Sequence, residues 1–139
     1  MRRAIKITGE AHHACMRAGK HYRQEYQFEA EFEYTGKMQG VMHQAFGTIV
    51  AAGSHATCQH YIDNSGPIQD QDLVLLDGGA TWNAYCADLT RTFPVSGTFS
   101  SIQRDLYEVV LASEKAGVEK VAPGVRMMDL HNHSAAILI

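Results

Sequence analysis

The hydrophobic pattern of the chain is dominated by an aliphatic run followed by an alternating segment. Residues 73–76 are all aliphatic and predict a buried strand, which ends at Asp77 and Gly78-Gly79. From Ala84 to Phe93 the residues fall into two alternating sets, which is the period of a second strand. Because only a few residues separate the two segments, we expect a hairpin to join them.

The predicted hairpin brings two carboxylates together. A two-residue turn at Trp82-Asn83, where Asn tolerates a positive φ, would place Asp77 directly opposite Asp88. Opposed side chains share a face with Cβ atoms roughly 4.5–5.5 Å apart, so two negative charges there repel unless a cation lies between them. Such a pair suits two divalent ions about 3.5–4 Å apart. The alternative is one turn Asp and one solvated strand Asp, and the spacing alone leaves both interpretations open.

Helical periodicity predicts four further elements. They cover residues 3–18, 24–34, 101–121 and the segment from Met128 onward. The third follows a capping box formed by Ser100 and Gln103. Its stripe is predicted to be a core face and consists of Ile102, Leu106, Val109, Val110 and Ser113.

A second hairpin is predicted upstream of the first. Residues 46–51 form a β-prone run, 52–54 form a turn and 57–62 return as a strand. His60 lies in the returning strand. As a bare sequence feature, a single strand histidine is more often structural than catalytic.

The remaining histidines and the cysteines offer no clear site. His12 and His13 lie on the first predicted helix and are expected to be exposed, since no carboxylate or Cys stands at a ligand spacing. Cys15, Cys58 and Cys86 show no CxxC spacing and are expected to be buried, reduced thiols of a cytoplasmic protein.

Composition excludes several classes of partner. A hydrophobic content of 45% and a charged content of 19% are those of a soluble globular domain rather than a disordered chain. With a net charge of −3 and scattered Lys and Arg, no basic footprint indicates binding to nucleic acid or to an anionic membrane. No apolar run approaches the roughly 20 residues that span a bilayer.

The hairpin sequence resembles a known family. The segments LLDGG and YCADLTRTFPVSG, preceded by QHYIDN, resemble the metal-binding core of the pita-bread metallopeptidases, in particular the Xaa-Pro aminopeptidases and prolidases. The resemblance implies that Asp77 and Asp88 are metal ligands. It also implies that His60, in the HY pair, contacts the substrate and acts in catalysis by donating to the scissile carbonyl oxygen. The implied cofactor is two divalent ions, in this family manganese, which suits oxygen ligands.

The same resemblance implies a fold and a function. The fold is α+β, a part of the pita-bread arrangement with antiparallel hairpins in a curved sheet and helices on one face. The function is metal-dependent hydrolysis of Xaa-Pro bonds at peptide N-termini or in dipeptides. A non-catalytic pita-bread domain that binds peptides or proteins is the alternative, but a binding module has no need of both Asp77 and Asp88. Aminopeptidase or dipeptidase activity, the native metal and assembly into a homo-oligomer are left open.

Residues 1–139 are expected to be the N-terminal half of such a catalytic domain. A two-metal site needs several ligands per ion, and Asp77 and Asp88 are too few. The family completes the site with one His and two Glu. No motif between Asp88 and Ile139 matches the segments that supply them, and His131 and His133 stand in the wrong sequence context. We therefore expect the isolated chain to bind manganese weakly, to hydrolyse no Xaa-Pro peptide and to associate through exposed apolar surface.

Overall fold

Two helices and an antiparallel sheet form the first of two units in the chain. The computed structural model describes residues 1–139, and its units are Met1–Thr98 and Phe99–Ile139. In the first unit, α1 spans Arg2–Ala18 and α2 spans Glu25–Met38, with a 3₁₀-helical turn at Gly19–His21 between them. Both predicted helices are confirmed, and α2 continues about one turn further than its sequence pattern indicated.

The strands of the first unit follow the second helix. Strand β1 spans Ile49–Ala52, β2 spans Leu73–Gly78, β3 spans Thr81–Trp82, β4 spans Tyr85–Cys86 and β5 spans Leu89–Pro94. Strands β1, β2 and β5 form an antiparallel sheet with β2 in the centre, while β3 and β4 pair with each other. The predicted hairpin of residues 73–93 is thus confirmed as an element.

Buried and partly exposed side chains alternate along β2, which gives the strand a core face and an opposite face. Val74 and Leu76 are fully buried, and they pack in one cluster with residues of both helices, including Phe28 and Phe32. Successive side chains of a strand point to opposite faces. Asp77 therefore lies on the face of the sheet that the helices do not cover.

The second predicted hairpin is wrong. Residues 53–57 form a 3₁₀-helical turn, and 58–62 lie in a turn and irregular backbone, so β1 pairs with β2 instead. The side chain of Asn64 takes the place of the missing strand. Its Oδ1 accepts from the Val50 N–H at 2.8 Å and its Nδ2 donates to the Thr48 carbonyl at 2.8 Å, which satisfies the outer edge of β1.

The second unit is a helical hairpin. Helix α3 spans Ser101–Glu119 and α4 spans Met127–Leu138, and the predicted Ser100–Gln103 capping box is present. The Ser113 hydroxyl donates to the Ser134 carbonyl at 2.9 Å, which joins the two helices.

The predicted core face of α3 is wrong for the chain described. Only Ser113 of the predicted stripe is buried, at 6% exposure. Its apolar members are 45–78% exposed, namely Ile102, Leu106, Val109 and Val110. The reason is that α4 packs beside Ser113 and Gly117. The approach at Gly117 is close, since an added Cβ there would lie 2.7 Å from the Ser134 hydroxyl oxygen. No helix of the chain has the length and apolar character needed to cross a bilayer.

Candidate metal centre

The hairpin register differs from the predicted one by two residues. In the structure Asp77 pairs with Thr90 rather than with Asp88, and Leu76 pairs with Arg91. The two-residue turn is Asn83-Ala84, with φ values of 49° and 64°, and not Trp82-Asn83. Direct opposition of the two aspartates was therefore wrong.

Trp82 stays in β3 because its indole has partners there. Its ring packs against the cluster of Ile7, Val41 and Ala80, and the Arg3 guanidinium lies 5.3 Å from the ring centroid. Had Trp82 occupied the turn, this surface would be lost, so the turn moves one residue along the chain.

The carboxylate of Asp77 is affected by burial and by its polar neighbours. Its Oδ1 atom is buried and has no hydrogen-bond partner. Burial raises the pKa of Asp77, a hydrogen bond with Thr90 lowers it, the negative charge of Asp88 raises it and His60 lowers it, with a net upward shift. The structure thus brings Asp77, Asp88 and His60 within electrostatic reach of one another.

The oxygen donors of Asp77 and Asp88 suit a divalent cation, but they are few. A buried carboxylate oxygen without a partner is costly unless something pairs with it, and a nearby second carboxylate increases the cost. A hard divalent ion would pair with the buried oxygen and offset the repulsion between the two carboxylates. Carboxylate oxygens are the ligands that such ions prefer. Within residues 1–139, however, no three His, Cys, Asp or Glu side chains are grouped to hold a metal ion. Asp77 and Asp88 therefore offer oxygen donors that suit a divalent ion, but two carboxylates alone are too few to enclose one.

Two side chains of α1 form hydrogen bonds with backbone groups in both arms of the hairpin that carries the aspartates. The Thr8 hydroxyl accepts from the Ala80 N–H at 2.9 Å, and Nε2 of His12 donates to the Leu89 carbonyl at 2.9 Å. Next to Ala80, Gly79 lies so close to the Ala87 carbonyl that a Cβ would overlap it. The hairpin is therefore clamped three residues after Asp77 and one residue after Asp88.

The expectation that His12 is exposed is wrong. Its side chain is 2% exposed and meets the Phe32 ring edge-on, with centroids 5.3 Å apart. Burial lowers the pKa of His12 to about 4, against the opposing effect of the Leu89 hydrogen bond. No local pattern signalled this, since the carbonyl that His12 binds lies 77 residues away.

The cysteines also differ from expectation. All three are free; Cys15 is buried, but Cys58 and Cys86 are exposed. Burial raises the pKa of the Cys15 thiol to about 12, which makes it an inert core residue.

His60 lies in a turn and not in a strand. It is exposed and has a φ of 56°, a left-handed conformation that is uncommon for a residue with a side chain. A conformation of this kind persists only where its surroundings enforce it.

The sequence pattern missed a buried carboxylate next to this turn. Glu25, in the first turn of α2, is 0% exposed. Its oxygens accept from the N–H groups of Ala52 and Gly66, from Nδ1 of His55 and from the hydroxyl of Tyr61. Acidic residues are common at helix N-termini for local reasons, so the sequence carried no signal of this long-range role.

A sheet with helices on one face and two interacting carboxylates on the other is the arrangement of a pita-bread metallopeptidase. Metallopeptidase family M24 matches residues 1–139, and the chain belongs to this family.

Three comparisons illustrate the similarity. The Xaa-Pro aminopeptidase of Haemophilus influenzae is 39% identical over 124 residues, which is 89% of this chain and 29% of that protein. Aminopeptidase PepP of Pseudomonas aeruginosa superposes with a TM-score of 0.90 at 38% identity, over 99% of this chain and 31% of that one. Zinc-substituted Escherichia coli aminopeptidase P in complex with product gives a TM-score of 0.90 at 34% identity, over 99% of this chain and 31% of that one. This chain thus spans about a third of the length of these relatives.

These matches bear on two of the sequence predictions. The resemblance to the pita-bread metallopeptidases and their proline-specific branch is confirmed, as is the α+β pita-bread fold class. The roles of Asp77, Asp88 and His60 stay predictions.

Proposed function

We propose that this chain supplies the metal-binding hairpin and a substrate-contacting loop of a metal-dependent exopeptidase that cleaves Xaa-Pro bonds. The observation that carries the proposal is the unpartnered, buried Oδ1 of Asp77 beside Asp88 and His60. Membership of a metallopeptidase family and similarity to Xaa-Pro aminopeptidases support it.

Asp77 and Asp88 are the residues that would hold the metal, proposed to be two manganese ions. When bound, divalent ions act as Lewis acids that polarise a carbonyl and lower the pKa of water. His60 is exposed beside the aspartates, where its imidazole would donate to the carbonyl oxygen of a proline-containing peptide as negative charge develops.

The proposal extends to the setting of the protein. Residues 1–139 would be the N-terminal half of the catalytic domain, with the other ligands contributed by the rest of a longer protein. Three free thiols suit the reducing cytoplasm. Assembly into a homo-oligomer is compatible with the exposed apolar side chains of α3.

The test uses the full-length protein that contains this chain. We expect purified, manganese-loaded protein to hydrolyse a peptide with proline in its second position. Asp77→Asn and Asp88→Asn should each abolish turnover and lower the metal content. Asp105→Asn, at an exposed position of α3, is the matched control and should change neither.

Two results would contradict the proposal. One is wild-type protein that takes up manganese but hydrolyses neither a longer Xaa-Pro peptide nor an Ala-Pro dipeptide, which would favour a binding module. The other is full activity in Asp77→Asn. Comparing the two substrates also separates aminopeptidase from dipeptidase activity.

A further inference from the structure

The turn that carries His60 is attached to a single buried carboxylate. Glu25 Oε2 accepts from the Tyr61 hydroxyl at 2.7 Å and from the Gly66 N–H at 2.7 Å. Glu25 Oε1 accepts from the Ala52 N–H at 2.8 Å and from His55 Nδ1 at 2.9 Å. One side chain therefore joins the N-terminus of α2 to the end of β1 and to both sides of the His60 turn.

The four donors keep Glu25 ionised although it is buried. Burial alone would raise the pKa of Glu25, but the hydrogen bonds from Ala52, Tyr61, His55 and Gly66 outweigh it and lower the pKa. Hydrogen bonds to a charged acceptor are roughly twice as strong as neutral ones. The cluster is thus a rigid anchor rather than a set of weak surface contacts.

The groups around the carboxylate are closely packed. The His55 and Tyr61 rings lie with centroids 4.7 Å apart. A Cβ at Gly66 would overlap the His55 ring and would lie 2.8 Å from Glu25 Oε2, so only glycine fits there. The Tyr61 ring is therefore fixed by a hydrogen bond at its hydroxyl and by the His55 ring beside it.

Tyr61 is the direct chain neighbour of His60. His60 has its left-handed φ of 56° directly beside a residue whose hydroxyl is held by Glu25. On the N-terminal side of the turn, His55 is held by Glu25 Oε1 through Nδ1. The turn is therefore held by Glu25 on both sides, and His60 is an exposed residue between His55 and Tyr61.

We propose that Glu25, acting through Tyr61, is the positioning residue that directs His60 toward the Asp77 and Asp88 carboxylates. This inference rests on the proposed function for its catalytic consequence. Neither Glu25 nor Tyr61 touches the reacting groups in this scheme. Their effect on the reaction passes through the orientation of the His60 imidazole.

The test compares Tyr61→Phe with Tyr26→Phe in the full-length protein. Tyr61→Phe removes one hydroxyl and leaves Glu25 with three donors, so folding should be retained. Tyr26 lies on α2, is 53% exposed and provides the matched control. We expect Tyr61→Phe to lower kcat about tenfold with unchanged manganese content, and Tyr26→Phe to leave kcat unchanged. Glu25→Gln, with Glu29→Gln as its control on the same helix, should act in the same direction.

A double-mutant cycle separates positioning from a general structural effect. If Tyr61 acts through His60, adding Tyr61→Phe to His60→Ala costs no further kcat, because the group being positioned is already absent. A second tenfold loss on the His60→Ala background would overturn the inference. So would wild-type kcat in Tyr61→Phe.

A readout without substrate keeps this inference distinct from the proposed function. The His60 ring resonance, assigned by its disappearance in His60→Ala, should shift in Tyr61→Phe and stay in place in Tyr26→Phe. If the wild-type protein hydrolyses no Xaa-Pro peptide, the proposed function fails and the resonance alone decides the positioning role. An unmoved resonance would then overturn it.

Discussion

His12 is a buried base that the fold accepts only in its neutral form. Its pKa falls from 6.5 to about 4 on folding because burial disfavours the imidazolium, so the unfolded chain binds the proton more tightly. The stability contributed by neutral His12 is fully present above pH 6.5 and is lost as the pH falls toward 4. The shift corresponds to about 3 kcal/mol of unfolding free energy across that window.

Urea unfolding followed by the fluorescence of the single Trp, Trp82, measures this loss in the first unit. We expect His12→Gln, whose amide can still donate to the Leu89 carbonyl, to be less stable at pH 7 but to lose about 3 kcal/mol less than wild type between pH 6.5 and 4. His13→Gln, at the exposed neighbouring position, should follow the wild-type profile. Equal losses in wild type and His12→Gln would contradict the assignment.

Sequence reasoning can single out residues whose unusual feature is local, and it missed residues whose contacts are distant in the chain. Asp77 could be singled out because a carboxylate directly after an aliphatic strand is unusual within a short window. His12 and Glu25 stand in ordinary helical positions, and their burial arises from partners that lie 27 to 77 residues away. No periodicity along the chain encodes such contacts.

At the scale of elements, the tip of the hairpin contains a strained turn. Asn83 and Ala84 both have positive φ, which is the geometry of a two-residue hairpin turn that favours Asn followed by Gly. An alanine in the left-handed region costs roughly 1–2 kcal/mol, whereas glycine adopts it freely. Ala84 is exposed, so its methyl group contributes little packing.

Ala84→Gly is therefore expected to raise the free energy of unfolding by about 1 kcal/mol, measured by circular dichroism during urea unfolding. Ala30→Gly, at an exposed position of α2, makes the same chemical change in a helix and should lower it by about 1 kcal/mol. If both variants lose stability equally, the left-handed turn at Asn83-Ala84 is refuted.

The elements themselves were largely predictable, whereas their pairing was not. Helical periodicity, the Ser100 cap and the aliphatic run of β2 are local signals, and each of these elements is confirmed. The burial of the apolar stripe of α3 is not. The register depended on where the turn lies. The packing of Trp82 against Ile7 and Val41 moved the turn by one residue and the register by two. The expected strand of residues 57–62 failed because the side chain of Asn64 pairs with β1 in its place.

At the scale of the whole molecule, the two units carry different parts of the chemistry. The proposed ligands and the His60 turn belong to residues 1–98, while residues 99–139 form a helical pair that presents apolar side chains to solvent. In the first unit, the hairpin is clamped by buried polar contacts from α1, made by the side chains of Thr8 and His12. It is therefore prepared to hold the aspartates before any metal binds.

Two carboxylates in a fixed hairpin are not sufficient for tight metal binding. A divalent ion held by one or two carboxylates keeps most of its water shell, and no three metal-ligating side chains are grouped within residues 1–139. We expect the 139-residue chain, titrated with manganese by calorimetry, to bind far more weakly than the full-length protein and to hydrolyse no Xaa-Pro peptide. The residual binding should disappear in Asp77→Asn and persist in Asp105→Asn, since only the first removes a proposed ligand. Two tightly held manganese ions per 139-residue chain would show that these residues form a complete site by themselves.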